Sequence, residues 1–330
     1  MLLAFGFWDP EKRRAERGRF VVTGSSSPAL LKSISESLAG RIAVIEMAPL
    51  SWAEIRSGRP SSALEVMTDR AARAGDVVSA AHPRGDVVEA HEFWRWGGYP
   101  EPWLRGGEDF RRMWMEQYVR AYLYRDIGRL FPGLDQARFR TFLGLMAGLS
   151  GTVINTAEVA RSLGVSQPTA ADYFEIAHGT FLWRRVPSYR RDAVKRIVKH
   201  SKGYVRDSGL LHHLSRIPDL EALLVHPVMG RTWEGLVLEE IIRGLDALGA
   251  GFDYYFYRTS AGAEVDLVLE GDFGLIPVEI KYASVVSSRE LRGLREFVKE
   301  RGCRFGLVIG NQVQPRLFDE NIAGIPFTAL

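Results

Sequence analysis

The side chains with the most chemistry in their spacing are Asp266, in the run Glu264-Val265-Asp266-Leu267-Val268-Leu269-Glu270, and the pair Glu279 and Lys281, in Val278-Glu279-Ile280-Lys281. Successive side chains of an extended chain alternate between faces. Glu264, Asp266 and Glu270 therefore share one face of the first run, and Glu279 and Lys281 stand apart from Val278 and Ile280. A turn centred on Gly271 to Gly274 sets Asp266 opposite Glu279 and Glu264 opposite Lys281, with paired Cβ atoms about 5 Å apart. Two carboxylates that close repel unless a cation lies between them. A hard divalent ion such as Mg²⁺ takes oxygen ligands, polarises a phosphate and lowers the pKa of an attacking water. Lys281 would orient that water or stabilise charge developing on the phosphate. Asp266, Glu279 and Lys281 are thus the expected catalytic set; the competing reading is a solvated charged face or a structural Asp266–Lys281 ion pair.

The elements that must position them follow from periodicity: a helix over Arg231 to Leu248, strands Tyr254 to Arg258, Glu264 to Glu270 and Leu275 to Lys281, a helix Ser288 to Glu300 and a strand Phe305 to Ile309. Asp266 followed after a turn by Glu279-Ile280-Lys281, in this αβββαβ order, resembles the catalytic motif of the restriction-endonuclease-like superfamily. The resemblance implies that a glutamate of the preceding helix joins Asp266 and Glu279 at the metal. Glu234 matches by position, with Glu239 as the fallback.

Upstream, an apolar helix runs from Phe139 to Leu149. Asn155-Thr156-Ala157-Glu158 then opens a helix through Leu163, Gly164-Val165-Ser166 turns the chain, and a further helix starts at Gln167 with Pro168 in its first turn. With a strand over Phe181 to Val186, this is the cadence of a helix-turn-helix completed as a winged helix. The stretch from Arg184 to Lys202 then holds Arg184, Arg185, Arg190, Arg191, Lys195, Arg196, Lys199 and Lys202 against the single acid Asp192. Such a run suits DNA phosphates, and Gln167 and Thr169 at the helix start suit base edges. The alternatives are a solvated basic surface or docking onto an acidic domain.

The first fifty residues read as strand, loop, helix, strand: Arg19 to Thr23, then Gly24 to Ser27, then Leu30, Leu31, Ile34 and Leu38 at helical spacing, then Ala43 to Glu46 closed by Pro49. This is a β-α-β piece of a parallel sheet. Together with Gly97-Gly98-Tyr99-Pro100, Tyr122-Leu123-Tyr124-Arg125-Asp126-Ile127, Lys202-Gly203-Tyr204-Val205-Arg206-Asp207-Ser208-Gly209-Leu210 and Trp233-Glu234, it resembles a prokaryotic AAA-type ATPase family with a C-terminal domain of unknown function. The resemblance spans nearly the whole chain. It implies that Thr23 and Ser25 occupy the sensor position near a γ-phosphate and that Arg41 acts as an arginine finger. The chain departs from that pattern, because no G-x-x-x-x-G-K-[ST] occurs and no apolar strand ending in acids precedes Arg19. The expectation is a chain that begins after the nucleotide-binding half, without autonomous ATP hydrolysis, and that binds ATP only if a P-loop half is supplied.

The totals agree with this organisation. A chain of 330 residues, 46% hydrophobic, can bury several cores, and net charge +3 with a pI near 9.0 leaves room for a polyanionic partner. The single Cys303 forms no internal disulfide and suits a reducing compartment. The apolar opening Leu2 to Trp8 stops at Asp9-Pro10, far short of the roughly 20 residues that span a bilayer. A cytoplasmic α/β multidomain protein is expected, with DNA as partner, no membrane, and a partner chain or a homo-oligomer completing it. Its parts would be an ATPase-core remnant over 1–60, a helical region over 61–135, a winged-helix-like unit over 136–205 and a restriction-endonuclease-like unit over 206–330. His200, His212 and His213 lack zinc-ligand spacing, Ser25 to Ser27 lack a Gly-x-Ser-x-Gly setting, and the aromatic residues around Gly97-Gly98 are expected to pack in a core.

Overall fold

Apolar runs between residues 252 and 326 make strands whose two faces must both be covered, and the chain lays helices on either side. The computed structural model describes residues 3–6, 20–23, 45–189, 200–259 and 262–330. At the amino end β1 (Leu3–Gly6) pairs antiparallel with β2 (Phe20–Thr23). The expected strand before Gly24 is present, but in a two-stranded antiparallel sheet where a parallel β-α-β unit was expected. Antiparallel neighbours satisfy each other's backbone groups without a crossover helix. The helix expected over Leu30 to Leu38, and Ala43 and Val44, lie outside the described residues. Ile45 and Glu46, the rest of the expected second strand, adopt no strand: Ile45 and Met47 are exposed, and the Glu46 carboxylate pairs with Arg206.

From Trp52 the chain is helical: α1 (Trp52–Arg56), α2 (Ser62–Thr68), α3 (Ala74–Ala80), α4 (Val87–Trp96), α5 (Pro100–Arg105) and α6 (Glu108–Ala121). Ser51, Ser61 and Asp86 start three of these by accepting first-turn N–H groups that have no partner inside the helix. The chain continues from α6 through a π-helical turn, Tyr122–Ile127, to Leu130. Trp94 packs in the core as expected, edge-on to Trp233 with ring centroids 5.3 Å apart. Trp96 does not; the guanidinium groups of Arg95 and Arg111 lie over its ring at 4.4 and 5.1 Å.

Next come α7 (Gln136–Leu149), β3 (Thr152–Val153), α8 (Thr156–Leu163), α9 (Gln167–Gly179), β4 (Trp183–Val186) and β5 (Lys202–Val205). The expected punctuation is in place. Asn155 accepts from the Ala157 and Glu158 N–H groups, Gly164 takes φ +63°, which glycine adopts without cost, and Ser166 accepts from Thr169 N–H. β4 starts at Trp183, later than expected, because Phe181 adopts a left-handed φ of 62°. The three strands form one antiparallel sheet in the order β3-β5-β4. Beyond β4, Ser188 bridges in parallel to Phe256, so this sheet runs into the larger one.

α10 (Ser208–Leu214), α11 (Leu220–Val225) and α12 (Met229–Ala247) lead to β6 (Phe252–Arg258), β7 (Glu264–Gly271), β8 (Gly274–Ile280), α13 (Arg292–Arg301), β9 (Gly306–Gly310), β10 (Arg316–Asp319) and β11 (Ile322–Pro326). The expected αβββαβ order is present, extended by β10 and β11. The six-stranded sheet is ordered β10-β11-β9-β8-β7-β6; β7 is antiparallel to both its neighbours β6 and β8, and β8, β9 and β11 are parallel. α13 starts four residues later than expected, since Glu290 folds back to accept from Ser287 and holds a turn there. α12 covers one face with Trp233, Leu236, Val237, Ile241 and Leu245, all buried; burying a side chain of this size contributes about 1.5–3 kcal/mol. The same core takes in Trp52, Leu64 and Phe93, so the early helices cover the sheet alongside α12. Leu294, Phe297 and Val298 of α13 cover the other face. Gly209 is obligatory in this packing, since a Cβ there would fall onto the Trp96 carbonyl oxygen.

Candidate active site

The β7–β8 hairpin turns through Gly271 and Gly274, which pair, and its register sets Leu267 opposite Val278. One step further along the same register stand Asp266 and Glu279, as the turn chemistry requires. Strict alternation along β7 fails, however. Tyr255 pairs with Val268 and Tyr257 with Val265, so Asp266 and Leu267 together oppose the single residue Phe256. This is a β-bulge, which re-aims side chains. Val265 and Val268, three residues apart, consequently pack in the same cluster on the α13 side, while Leu267 packs in the core under α12.

The Asp266 carboxylate accepts the Ile280 N–H at 2.8 Å. Glu279 Oε1 meets Lys281 Nζ at 2.6 Å, whereas Glu279 Oε2 is buried with no hydrogen-bond partner among the described residues. Glu234, early in α12, accepts from Lys202 Nζ at 2.6 Å and from the Tyr204 hydroxyl. Lys202 also reaches Glu264 at 3.1 Å. Lys202 and Tyr204 are two apart on β5 and share a face, so the three-stranded sheet places both on the helix that flanks the hairpin.

Two buried carboxylates, those of Asp266 and Glu279, and two partly exposed ones, those of Glu234 and Glu264, face two ammonium groups here. Burial and then the Asp266 charge push Glu279 up to about 8 and Glu234 up to about 7, against the opposing pull of Lys281 and Lys202. Lys281 is itself raised: burial lowers it, but the charges of Asp266 and Glu279 more than offset that. A cluster this short of positive charge suits a hard cation. The donors are oxygens, one of them orphaned, and Mg²⁺ commonly binds through only one or two carboxylates, with water and substrate phosphate completing its shell. Among the described residues, no three His, Cys, Asp or Glu side chains stand ready as a metal cage; Lys281 and Lys202 pair with Glu279 and Glu234.

A pH dependence follows. Carboxylates whose folded pKa is raised bind more protons folded than unfolded, so stability falls as pH climbs from the ordinary 4.5 through the folded values. Glu279 at about 8, with Glu234 and Glu240 at about 7, places the upper part of that fall between pH 6.5 and 8.5. His212, lowered to about 4 by burial, acts only below 6.5. The melting temperature is expected to drop from pH 6.5 to 8.5, and to drop less in Glu279→Gln; a flat or rising wild-type profile would contradict the cluster's charge balance.

The remaining expected site residues are dispersed. Glu239, the fallback ligand, lies apart from the hairpin cluster in a buried network: both its oxygens accept from Arg184, and Arg206 and Arg243 approach at 3.4 and 3.5 Å. Arg184 therefore does not face a phosphate; it is buried, with Nη1 also donating to the Tyr254 hydroxyl at 3.1 Å. Arg185 is half-buried and pairs with Glu175. Gln167 is exposed and Thr169 half-buried at the start of α9. Arg190, Arg191, Lys195 and Arg196 lie outside the described residues, as do Ser25 and Arg41; Thr23 ends β2. Lys202 and Tyr204 went unrecognised as neighbours of the site, although their alternation in Lys202-Gly203-Tyr204 was a readable signal.

Three family models match the chain: an AAA domain over residues 8–56, a domain of unknown function (DUF8612) over 88–221 and a domain of unknown function (DUF4143) over 229–330. They support an AAA-type, ATPase-like family carrying domains of unknown function. Uncharacterized protein Rv2008c of Mycobacterium tuberculosis and uncharacterized protein Mb2031c of Mycobacterium bovis are each 33% identical over 275 residues, 83% of this chain and 55% of theirs. Uncharacterized protein MJ1544 of Methanocaldococcus jannaschii is 23% identical over 304 residues, 89% of this chain and 63% of its own. The chain thus spans between about half and two-thirds of the length of these curated relatives. No solved structure matches. Among the described residues no helix is long and apolar enough to cross a membrane.

Proposed function

We propose that the chain is a DNA-binding, cytoplasmic protein of an AAA-type family whose C-terminal part, residues 206–330, is a restriction-endonuclease-like unit hydrolysing phosphodiester bonds with a divalent cation. The observation that carries this reading is the β7–β8 hairpin register, with the Asp266 carboxylate beside Glu279 and Lys281 and one Glu279 oxygen without a hydrogen-bond partner among the described residues. Support for the fold comes from the order of α12 through β9, with β8 parallel to β9. Residues 136–205 have the helix, strand, helix, helix, strand, strand order of a winged helix with β5 central. In this reading Gln167 and Thr169 face bases, and Arg185 with the cations that follow it faces phosphates. Asp266 and Glu279 hold Mg²⁺, which when bound polarises the scissile phosphate and acidifies an attacking water. Lys281, about one-third exposed, positions that water from the Glu279 side. Residues 8–56 match an AAA domain, and in this reading ATP binding there requires a P-loop, a motif that residues 1–330 do not contain.

Purified protein incubated with single-stranded, duplex and branched DNA is expected to cleave in Mg²⁺ or Mn²⁺ and to stop in a chelator. Binding without cleavage in either ion would instead favour a recognition module. The hold of Lys202 and Tyr204 on Glu234 is the feature that suits this second reading.

A further inference from the structure

Lys202 stands in the carboxylate cluster but comes from outside the hairpin. Alternation along an extended chain puts Lys202 and Tyr204 on one face of β5 and Gly203 on the other, and the glycine is required because a Cβ there would fall onto the Trp183 ring of β4. Tyr204 packs against α12 at Gly235, where a Cβ would lie 3.2 Å from its ring, and its hydroxyl donates to Glu234. This packing carries the Lys202 side chain to α12 and β7 together. Its Nζ donates to Glu234 Oε1 at 2.6 Å and to Glu264 Oε1 at 3.1 Å. The side chain is 5% exposed, and the Asp266 charge acts on it as well.

An ammonium that joins carboxylates of two different elements does what a bound cation would do. The distances suit that exchange, because a hard divalent ion in place of Nζ would need each oxygen to close in by only about 0.5–1 Å to reach its usual bond length. The charges suit it too. Glu234, Glu264, Asp266 and Glu279 face Lys202, Lys281 and, at the rim, Arg258, which lies 3.8 Å from Glu264. With these three cations present, one divalent ion at Asp266 and Glu279 meets the remaining negative charge. Without Lys202, the Glu234 side would hold two carboxylates with only the peripheral Arg258 near them.

We propose that Lys202 is a tethered cation in the position of a second divalent ion, so that the cluster takes one divalent ion, at Asp266 and Glu279, and Glu234 serves the lysine rather than the metal. The inference rests on the hairpin being a cation centre. Calorimetric titration of Mn²⁺ into the chelator-treated full chain at pH 7.5 is compared in wild type, in Lys202→Gln, which keeps a donor for Glu234, and in Lys202→Met, alongside thermal unfolding in chelator and in saturating Mn²⁺. One ion per chain is expected in the wild type and two in each variant, and Glu264→Gln added to either variant is expected to remove the second. Both variants are expected to melt below the wild type in chelator, and Mn²⁺ to raise their melting temperatures by more than it raises that of the wild type, since an ion that binds the folded state stabilises it. One ion in wild type and variants alike, or a melting-temperature deficit that Mn²⁺ does not narrow, would reduce Lys202 to a structural ion pair and overturn the inference while leaving the hairpin centre standing. No ion in the wild type would sink the hairpin centre; an ion gained by the variants would then still uphold the tethered cation, and none in any of the proteins would end both. Variants that stay unfolded in chelator and in Mn²⁺ alike would also overturn the inference.

Discussion

Glu239→Ala is expected to lower folding stability by about 3–5 kcal/mol, the range found when one partner of a buried ion pair is removed. Glu239 is 1% exposed and holds Arg184 with both oxygens, with Arg206 and Arg243 alongside. Arg243 in turn donates to the Arg206 carbonyl at 2.7 Å and meets Glu240, which accepts from the Trp52 N–H at 2.6 Å. Removing this carboxylate takes from Arg184 its two-oxygen partner and leaves Arg206 to Glu46 and Arg243 to Glu240, in an interior that ties β4, the end of β5, α12 and the segment before α1 together. Burial raises the Glu239 pKa, but the arginines overcome it and hold the group at about 2. Its contribution is therefore present above pH 4.5 and lost as pH falls from 4.5 through 2. Urea unfolding at pH 7 checks the size through the midpoint at unchanged slope; a loss under about 1 kcal/mol would mean that the network contributes little.

Lys281→Ala is expected to reduce divalent-dependent DNA cleavage by about 10²–10³-fold, the usual cost of deleting one preorganised charge at a developing anion. The fold should tolerate the change, since this side chain is 31% exposed and, among the described residues, pairs with Glu279 at 2.6 Å. Lys202→Ala gives the contrast. That ammonium is 5% exposed and bridges Glu234 and Glu264, so its loss is expected to lower the melting temperature as well as activity. Cleavage unchanged in Lys281→Ala would assign the activity to another site or to a contaminating enzyme.

The hairpin register was legible because two glycines fix the turn and alternation fixes what stands opposite. The bulge was not, since Val265 and Val268 are both apolar and the extra residue appears only against Phe256 of the neighbouring strand. Arg184 read as part of a basic surface run; its burial depends on Glu239 and Tyr254, 55 and 70 residues later in the chain. The helices α8 and α9 and the turn between them were readable from Asn155, Gly164 and Ser166, each acting within four residues of its own position. β10 and β11 were missed: β10 is a four-residue edge strand of mixed polarity, and β11 is apolar but carries Gly324 and Pro326, which weaken a strand pattern. Local signals were thus readable, and features set by distant partners were not.

The most direct test of the central claim is calorimetric titration of Mn²⁺ into the chelator-treated protein at pH 7.5, in wild type and in the double variant Asp266→Asn, Glu279→Gln. One site is expected in the wild type, binding with release of protons from the raised carboxylates, and no such site in the variant. Mn²⁺ binding of equal strength in both proteins, or in neither, would contradict a cation centre on this hairpin.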